Sequence, residues 1–287
     1  MKPILADLLH LLTLERLDTN HFRGESRDIG ARRVFGGQVL GQALSAASAT
    51  TEDQVAHSLH AYFLRKGDHG APILYEVDRQ RDGRSFSSRR VVAIQHGRPI
   101  LNLAASFQRP EDGLEHQIKM PEVPPPEELD DLAEIRRQLL EKVPERRIPR
   151  FLLLERPFEF RPVQRPRYFD PEPLEPRVQV WFRTVDRLPD DPALHRNVLA
   201  YASDYHLITS AARPHGISIL TPNLQMASLD HALWFQRPFR ADEWLLYDIE
   251  SPSTAGARGL ARGMIYRRDG ALVAMVAQEG VLRMWAQ

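Results

Sequence analysis

Asp204, Ser228 and Gln278 are the polar residues of this sequence that sit where a packed helix or strand would turn them inward. A carboxylate, a hydroxyl and an amide set in this way suit a hydrolytic site. Asp204 lies in Tyr201-Ala202-Ser203-Asp204-Tyr205-His206, inside a helix expected over Pro192–Ala212. Asp is a poor helix-interior residue unless it is exposed or used. Leu199, Ala202 and Ser203 read as a packed face, which puts Asp204 at or near the boundary with a sheet. A surface Asp with a local hydrogen bond is the alternative, and helix position alone does not separate the two. Ser228 lies in Gln225-Met226-Ala227-Ser228-Leu229-Asp230-His231, within a strand expected over Leu224–Phe235. Alternation places Ser228 and Asp230 on one face and His231 on the other, so Asp230 and His231 cannot relay a proton to each other. His231 reads instead as a structural histidine capped by a backbone carbonyl. Gln278 follows Leu272-Val273-Ala274-Met275-Val276-Ala277, a run apolar on both faces and so a central strand. An amide after such a run must reach water or find partners.

The elements that must position these residues come in duplicate. Ile73-Leu74-Tyr75-Glu76-Val77 returns as Leu245-Leu246-Tyr247-Asp248-Ile249, and His60-Ala61-Tyr62-Phe63 is echoed by His231-Ala232-Leu233-Trp234-Phe235. Repetition of this kind means one fold unit used twice, with the halves packed together. In the first half a short amphipathic helix (apolar at 5, 8, 9 and 12) precedes Gly36-Gly37. That pair opens a helix rich in small residues, which must lie very close to something, most simply a sheet. Strands follow at Ser58–Leu64, Ile73–Arg79, Ser85–Gln95 and Pro99–Phe107, separated by turn residues. The second half repeats the order: strand Val178–Arg183, the helix, then strands near Leu224–Phe235, Trp244–Glu250, Ala257–Arg267 and Ala271–Arg283. Asp269-Gly270 is the hairpin signal between the last two. Helix followed by antiparallel strands is an α+β pattern. The place that matches Gln278 in the first half is Ala104-Ala105-Ser106, with no amide. The first half therefore reads as scaffold and the second as the site. Residues 1–110 and 151–287 are the expected domains. Between them 111–150 reads as a stiff, solvated, Pro-rich linker with one charged helix, Leu132–Lys142, closed by Pro144.

Composition narrows the class. Lys+Arg and Asp+Glu balance at 38 each over 287 residues, which argues against binding nucleic acid through bulk charge. The absence of cysteine removes disulfides, thiolate chemistry and Cys-ligated zinc. His57 and His60 fall on opposite faces of a strand, a poor metal pair, and no metal or cofactor is expected. There is no Gly-x-Ser-x-Gly elbow, phosphate-binding loop or dinucleotide fingerprint. The first residues, broken by Asp7 and His10, do not read as a signal segment. No run approaches the about 18 apolar residues of a membrane span, and Met284-Trp285-Ala286-Gln287 is not a peroxisomal address. A soluble cytoplasmic protein is the expectation.

Several longer motifs resemble the acyl-CoA thioesterase II family. They are Phe35-Gly36-Gly37-Gln38-Val39-Leu40-Gly41-Gln42-Ala43, His60–Arg65 with Gly67-Asp68, and Asp82–Phe86 with Arg89-Arg90-Val91. Tyr201-Ala202-Ser203-Asp204, Asp230-His231 with Trp234-Phe235, Arg237-Pro238-Phe239, Trp244–Tyr247 and Gln278-Glu279-Gly280-Val281 complete the set. The likeness runs from the first helix almost to the last residues. It implies a double hotdog fold: a long helix wrapped by an antiparallel sheet, twice per chain. It implies a catalytic Asp, Thr or Ser, and Gln, which by motif fall on Asp204, Ser228 and Gln278, with Ser where many bacterial members carry Thr. The chemistry fits these types. A carboxylate can take a proton from water while a hydroxyl and an amide fix that water. Backbone N–H groups at a helix start would hold the oxyanion. The resemblance thus implies hydrolysis of medium- to long-chain acyl-CoA. Exposed arginines such as Arg89, Arg258 or Arg262 could meet the coenzyme A phosphates, but a solvated strand face is the better reading of any single one. A hotdog hydratase or dehydratase, or a non-catalytic acyl-CoA binding module, is the alternative. A homo-oligomer is expected because curled antiparallel sheets leave edges and a back to be covered.

Overall fold

The computed structural model describes residues 1–30, 33–141 and 149–285. The first half contains α1 (Pro3–Leu12), β1 (Glu15–Arg16), β2 (His21–Gly24), α2 (Gly36–Ser48), β3 (Val55–Phe63), β4 (Ile73–Asp82), β5 (Phe86–Gln95) and β6 (Arg98–Gln108). After α3 (Leu132–Leu140), the second half contains β7 (Phe158–Pro162), β8 (Arg177–Thr184), α4 (Pro192–Ser203), α5 (Leu207–Ala212), β9 (Leu224–Ser228), β10 (Asp230–Phe235), β11 (Leu245–Ala255), β12 (Arg258–Arg267) and β13 (Leu272–Met284).

All thirteen strands belong to one antiparallel sheet, ordered β1-β2-β4-β5-β6-β3-β10-β13-β12-β11-β8-β7, with β9 paired to β13. Read outward from the centre, β3-β6-β5-β4-β2 and β10-β13-β12-β11-β8 follow the same path. This is the expected double hotdog, with both helix-and-sheet units in a single sheet. The halves join where β3 pairs with β10, Ala61 opposite His231 and Leu59 opposite Leu233. One apolar cluster runs through both units, including Leu40, Leu44, Leu59, Leu103, Val198, Leu199, Leu233 and Val276. Tyr75 and Tyr247, the matching tyrosines of the repeat, both point inward to the central helices. Tyr75 donates to Gln42 Oε1 at 2.7 Å and Tyr247 to the Ser203 carbonyl at 2.9 Å. The second echo is out of step in space. His60 is exposed and opposes Ala232, whereas His231 is buried, so the two histidines point to opposite faces.

The closest approach of α2 is to α4, not only to the sheet as expected. A Cβ on Gly37 would stand 2.2 Å from the Tyr201 carbonyl oxygen. Two helices can touch backbone to backbone only where one of them carries no side chain.

The helix expected over Pro192–Ala212 is two. Asp191 caps α4, accepting from the Ala193 N–H at 2.9 Å, and Pro192 opens it. The helix ends at Ser203, Asp204 is its C-cap, and His206 turns the chain at φ 70° before α5. The strand expected over Leu224–Phe235 is likewise two, interrupted at Leu229. The Pro-rich segment is not simply a solvated tether. Residues 109–119 are exposed, but Met120, Val123 and Leu129 pack on Trp181, Leu246, Tyr266 and Leu272 across the outer face of the second unit. Trp181 Nε1 donates to the Pro124 carbonyl at 3.0 Å. Lys142 and Pro144, expected to end α3, lie outside the described residues. Among the described residues no helix is long and apolar enough to cross a membrane.

Candidate active site

The end of α4 delivers the Asp204 carboxylate to the start of α2, across the join between the units. Asp204 Oδ2 accepts the Gly37 N–H at 2.9 Å. Its Oδ1 accepts Gln278 Nε2 at 2.8 Å and, more distantly, Ser228 Oγ at 3.4 Å. A Cβ on Gly36 would lie 2.6 Å from Oδ2, so the first two residues of α2 must be bare for the carboxylate to fit. Gln278 comes from β13, between β10 and β12, and its side chain is 1% exposed. Ser228, the last residue of β9, opposes Gly280 on β13. The structure therefore brings Asp204, Ser228 and Gln278 together.

The electrostatics of this cluster follow from its position. Burial raises the Asp204 pKa from 3.8 to about 6, against the lowering effect of the hydrogen bonds from Gln278, Gly37 and Ser228 and of the Arg33 charge. The C-terminal end of α4 carries partial negative charge and adds to the cost, while the positive end of α2 faces the carboxylate and offsets part of it. A carboxylic acid tuned close to neutrality is suited to exchanging protons with substrate or water. Gln278 Oε1 is buried and has no hydrogen-bond partner among the described residues. Its Nε2 is committed to Asp204, so Oε1 is left as an acceptor at the site.

The neighbouring polar residues have other tasks. Asp230 Oδ1 accepts the Glu279 N–H at 2.6 Å, and with the Leu229 N–H on the Glu279 carbonyl at 2.9 Å it fixes the break between β9 and β10. His231 is capped by a hydroxyl instead of the expected carbonyl: its Nε2 lies 2.9 Å from Ser203 Oγ, and burial lowers its pKa to about 3. Arg89 is no exposed arginine. It is 1% exposed and gives its guanidinium to Asp82, to Thr50 Oγ1 at 2.7 Å and to the Thr50 carbonyl at 2.9 Å. Arg258 pairs with Glu279 and Arg262 with Glu250. Among the described residues no cluster of three or more His, Asp or Glu side chains could hold a metal.

The first unit supplies more than scaffold. Gly36 and Gly37 were marked in sequence only as a close approach, and the approach turns out to be to Asp204 and Tyr201. Arg33, whose Nη2 donates to the Met226 carbonyl at 2.8 Å and so ties β9 to the first unit, carries no sequence signal of that contact.

Comparison with known proteins agrees with this architecture over its whole length. The family model described as acyl-CoA thioesterase matches residues 150–281, and that described as acyl-CoA thioesterase N-terminal domain matches 23–108. Acyl-CoA thioesterase 2 of Haemophilus influenzae is 45% identical over 284 residues, covering 99% of each chain. The chain belongs to the acyl-CoA thioesterase II family. Human acyl-coenzyme A thioesterase 8 is 44% identical over 285 residues, 96% of this chain and 89% of that one. The crystal structure of an acyl-CoA thioesterase II, TesB2, from Mycobacterium marinum superposes with a TM-score of 0.79 at 43% identity, covering 97% of this chain and 99% of that one. A hot dog fold protein of unknown function from Alicyclobacillus acidocaldarius, 18% identical, reaches a TM-score of 0.77 over 98% of this chain and 99% of that one and shows the fold alone. In this member of the family the three polar groups on Asp204 come from both units: the α2 start from the first, Ser228 and Gln278 from the second.

Proposed function

We propose that this protein hydrolyses the thioester of medium- to long-chain acyl-CoA, releasing a fatty acid and free coenzyme A, with Asp204 as general base and Ser228 and Gln278 positioning the water. The observation that carries the reading is the Asp204 carboxylate, held by three donors and pushed up to about 6. In this scheme water gives one proton to Asp204 and hydrogen-bonds through its other hydrogen to Gln278 Oε1. Its oxygen then adds to the thioester carbonyl. The oxyanion faces the positive end of α2, where Gly36 allows close access. Collapse of the adduct breaks the C–S bond, and the proton held by Asp204 passes to the departing sulfur.

Release of thiol from a panel of acyl-CoA chain lengths tests the activity and its preference together. Asp204→Asn should lower turnover by about 10²–10⁴, roughly 3–5 kcal/mol of barrier. Ser228→Ala and Gln278→Ala should cost less singly and combine with Asp204→Asn less than additively, since all act on one water. An Asp204→Asn enzyme that releases thiol at the wild-type rate would remove Asp204 from the mechanism. The hydratase alternative is disfavoured because no histidine among the described residues bonds Asp204. Enoyl formation without thiol release would restore it.

We propose further that residues 1–110 and 151–287 work as one catalytic unit, with 111–150 lying outside it, and that the protein assembles as a homo-oligomer.

A further inference from the structure

Arg136 on α3 and Arg156, just ahead of β7, line a cavity of about 220 Å³ to which Tyr205 and His206, the turn after Asp204, also contribute. Neither Asp204, Ser228 nor Gln278 lines it. Its walls are largely apolar and aromatic: Leu132, Phe160, Val180, Tyr168 and Tyr205. Arg136 is 9% exposed, yet its Nε and Nη1 are buried with no hydrogen-bond partner, and Arg156 Nε is in the same condition. Neither arginine forms an ion pair among the described residues, and Arg156 lies over the face of Tyr205, 5.0 Å from the ring centroid. The carboxylate on the cavity wall, Glu172, is already paired with Arg167.

Elsewhere Arg89, which is buried, is supplied with Asp82 and Arg240 with Asp242, while Arg196 gives its N–H groups to the Ala56 and Pro192 carbonyls. Two guanidinium groups that repel each other in an apolar chamber, with N–H groups left unmet, are costly to fold. The cost is relieved when an anion enters. Burial and then Arg156 lower the pKa of Arg136. Burial and then the two arginines lower that of His206 to about 4, so this histidine on the wall is neutral at pH 7. His206 Nε2 is also buried and unpartnered, and the residue holds a left-handed φ of 70° that a non-glycine residue adopts only when its surroundings impose it. A bare phosphate would meet the guanidinium groups but gain nothing from the aromatic walls. A planar carboxylate fits the fork of an arginine, and a hydrocarbon chain fits the walls.

We propose that this cavity binds an apolar carboxylic acid, its carboxylate between Arg136 and Arg156 and its chain along Phe160, Val180 and Tyr205, at a place separate from the Asp204 centre. The proposal does not depend on Asp204 being the catalytic base.

Titration calorimetry of the full chain with decanoate, below its micelle concentration, tests it. One saturable decanoate site is expected, with decan-1-ol and inorganic phosphate each bound about tenfold or more weakly. Arg136→Gln and Arg156→Gln should each weaken decanoate by about tenfold or more, the loss of a charge-assisted pair. Asp204→Asn should leave it unchanged. Removing an unpaired buried cation should not lower the melting temperature, and Arg136→Met provides a second variant of similar length for that comparison. Three results would overturn the site: no saturable decanoate binding, equal affinity for decanol, or unaltered affinity in the Arg136 and Arg156 variants. Loss of binding in the Asp204→Asn variant would assign the acid to the Asp204 centre instead. A large fall in melting temperature for both Arg136 variants would make that arginine structural.

Discussion

Asp204 sits at a helix C-terminus, the end at which a negative charge is least stable, and it is buried there. Burial raises its pKa, and the shift has a measurable consequence. If the carboxylate must be ionised to accept a proton, kcat/KM should rise with pH along an acid limb whose apparent pKa lies near about 6, then level off. The same shift is a stability statement. Between 3.8, the unfolded value, and about 6 the native state holds more of this proton than the unfolded chain does. Stability from this group therefore falls as pH rises through that window, by roughly 3 kcal/mol in total, and is flat above it. Asp204→Asn removes the slope. Denaturant melts of both proteins at pH 4, 5, 6 and 8 should show the variant gaining on the wild type across the window and no further beyond it. A difference that is constant with pH would mean that the carboxylate titrates normally. Ser228, at 3.4 Å, and Gln278, at 2.8 Å, act in the opposite sense on the same pKa, so Gln278→Ala should move the acid limb upward.

At the scale of elements, the decisive contact is between α2 and α4. Gly37→Ala would place a methyl 2.2 Å from the Tyr201 carbonyl oxygen, a backbone atom that cannot swing aside. The helices must separate, and overpacking of this kind costs about 1–3 kcal/mol or more. Because the Gly37 N–H also holds Asp204 Oδ2, turnover per folded molecule should fall along with stability. Denaturation and thiol release measured on the same preparation would check it. Loss of stability with full turnover would mean that the contact is structural only. What the sequence revealed of these elements follows their length and pattern. The long strands β4, β5, β6, β11, β12 and β13 run to ten or more residues, enough for alternating or continuous apolar stretches to show, and were legible. β1, β2 and β7 are two to five residues long at or next to the sheet edges, too short for a period to show, and were missed. The break after Ser203 was hidden because Tyr205-His206-Leu207 continues a helical pattern, and only the left-handed turn at His206 reveals it. The matching of His60 with His231 failed because a one-residue slip on a strand exchanges its faces, which letter-by-letter similarity does not register. Gln278 was legible because an amide at the end of an apolar central strand has few bland explanations.

For the molecule as a whole, a single sheet makes the two units inseparable, and the division into scaffold and site does not survive. The Asp204 cluster needs the first turn of α2 from one unit and β9 and β13 from the other. The same sheet curls its inner face round the helices and leaves its outer face bare at the join. There Tyr62 of β3 is 61% exposed, Met275 of β13 is 37% exposed and Leu260 of β12 is 43% exposed, with Trp234 of β10 opposite Met275. These are side chains of adjacent strands on one face, whereas the outer face of β8 and β11 is covered by the Pro-rich segment through Trp181 and Leu246. The terminal strands of the sheet, β1 with two residues and β7 with five, are short and offer little to edge-to-edge pairing. We therefore expect the proposed homo-oligomer to form through the outer face at the join and not through the sheet ends. Light scattering at micromolar concentration should give a multiple of 32.9 kDa. Tyr62→Lys with Met275→Lys should reduce that mass toward the monomer without lowering the helix and strand content seen by circular dichroism, because both side chains point away from the core. A wild-type protein that scatters as a 32.9 kDa monomer would end the proposal. A doubly substituted protein that keeps the full mass would move the interface to another surface.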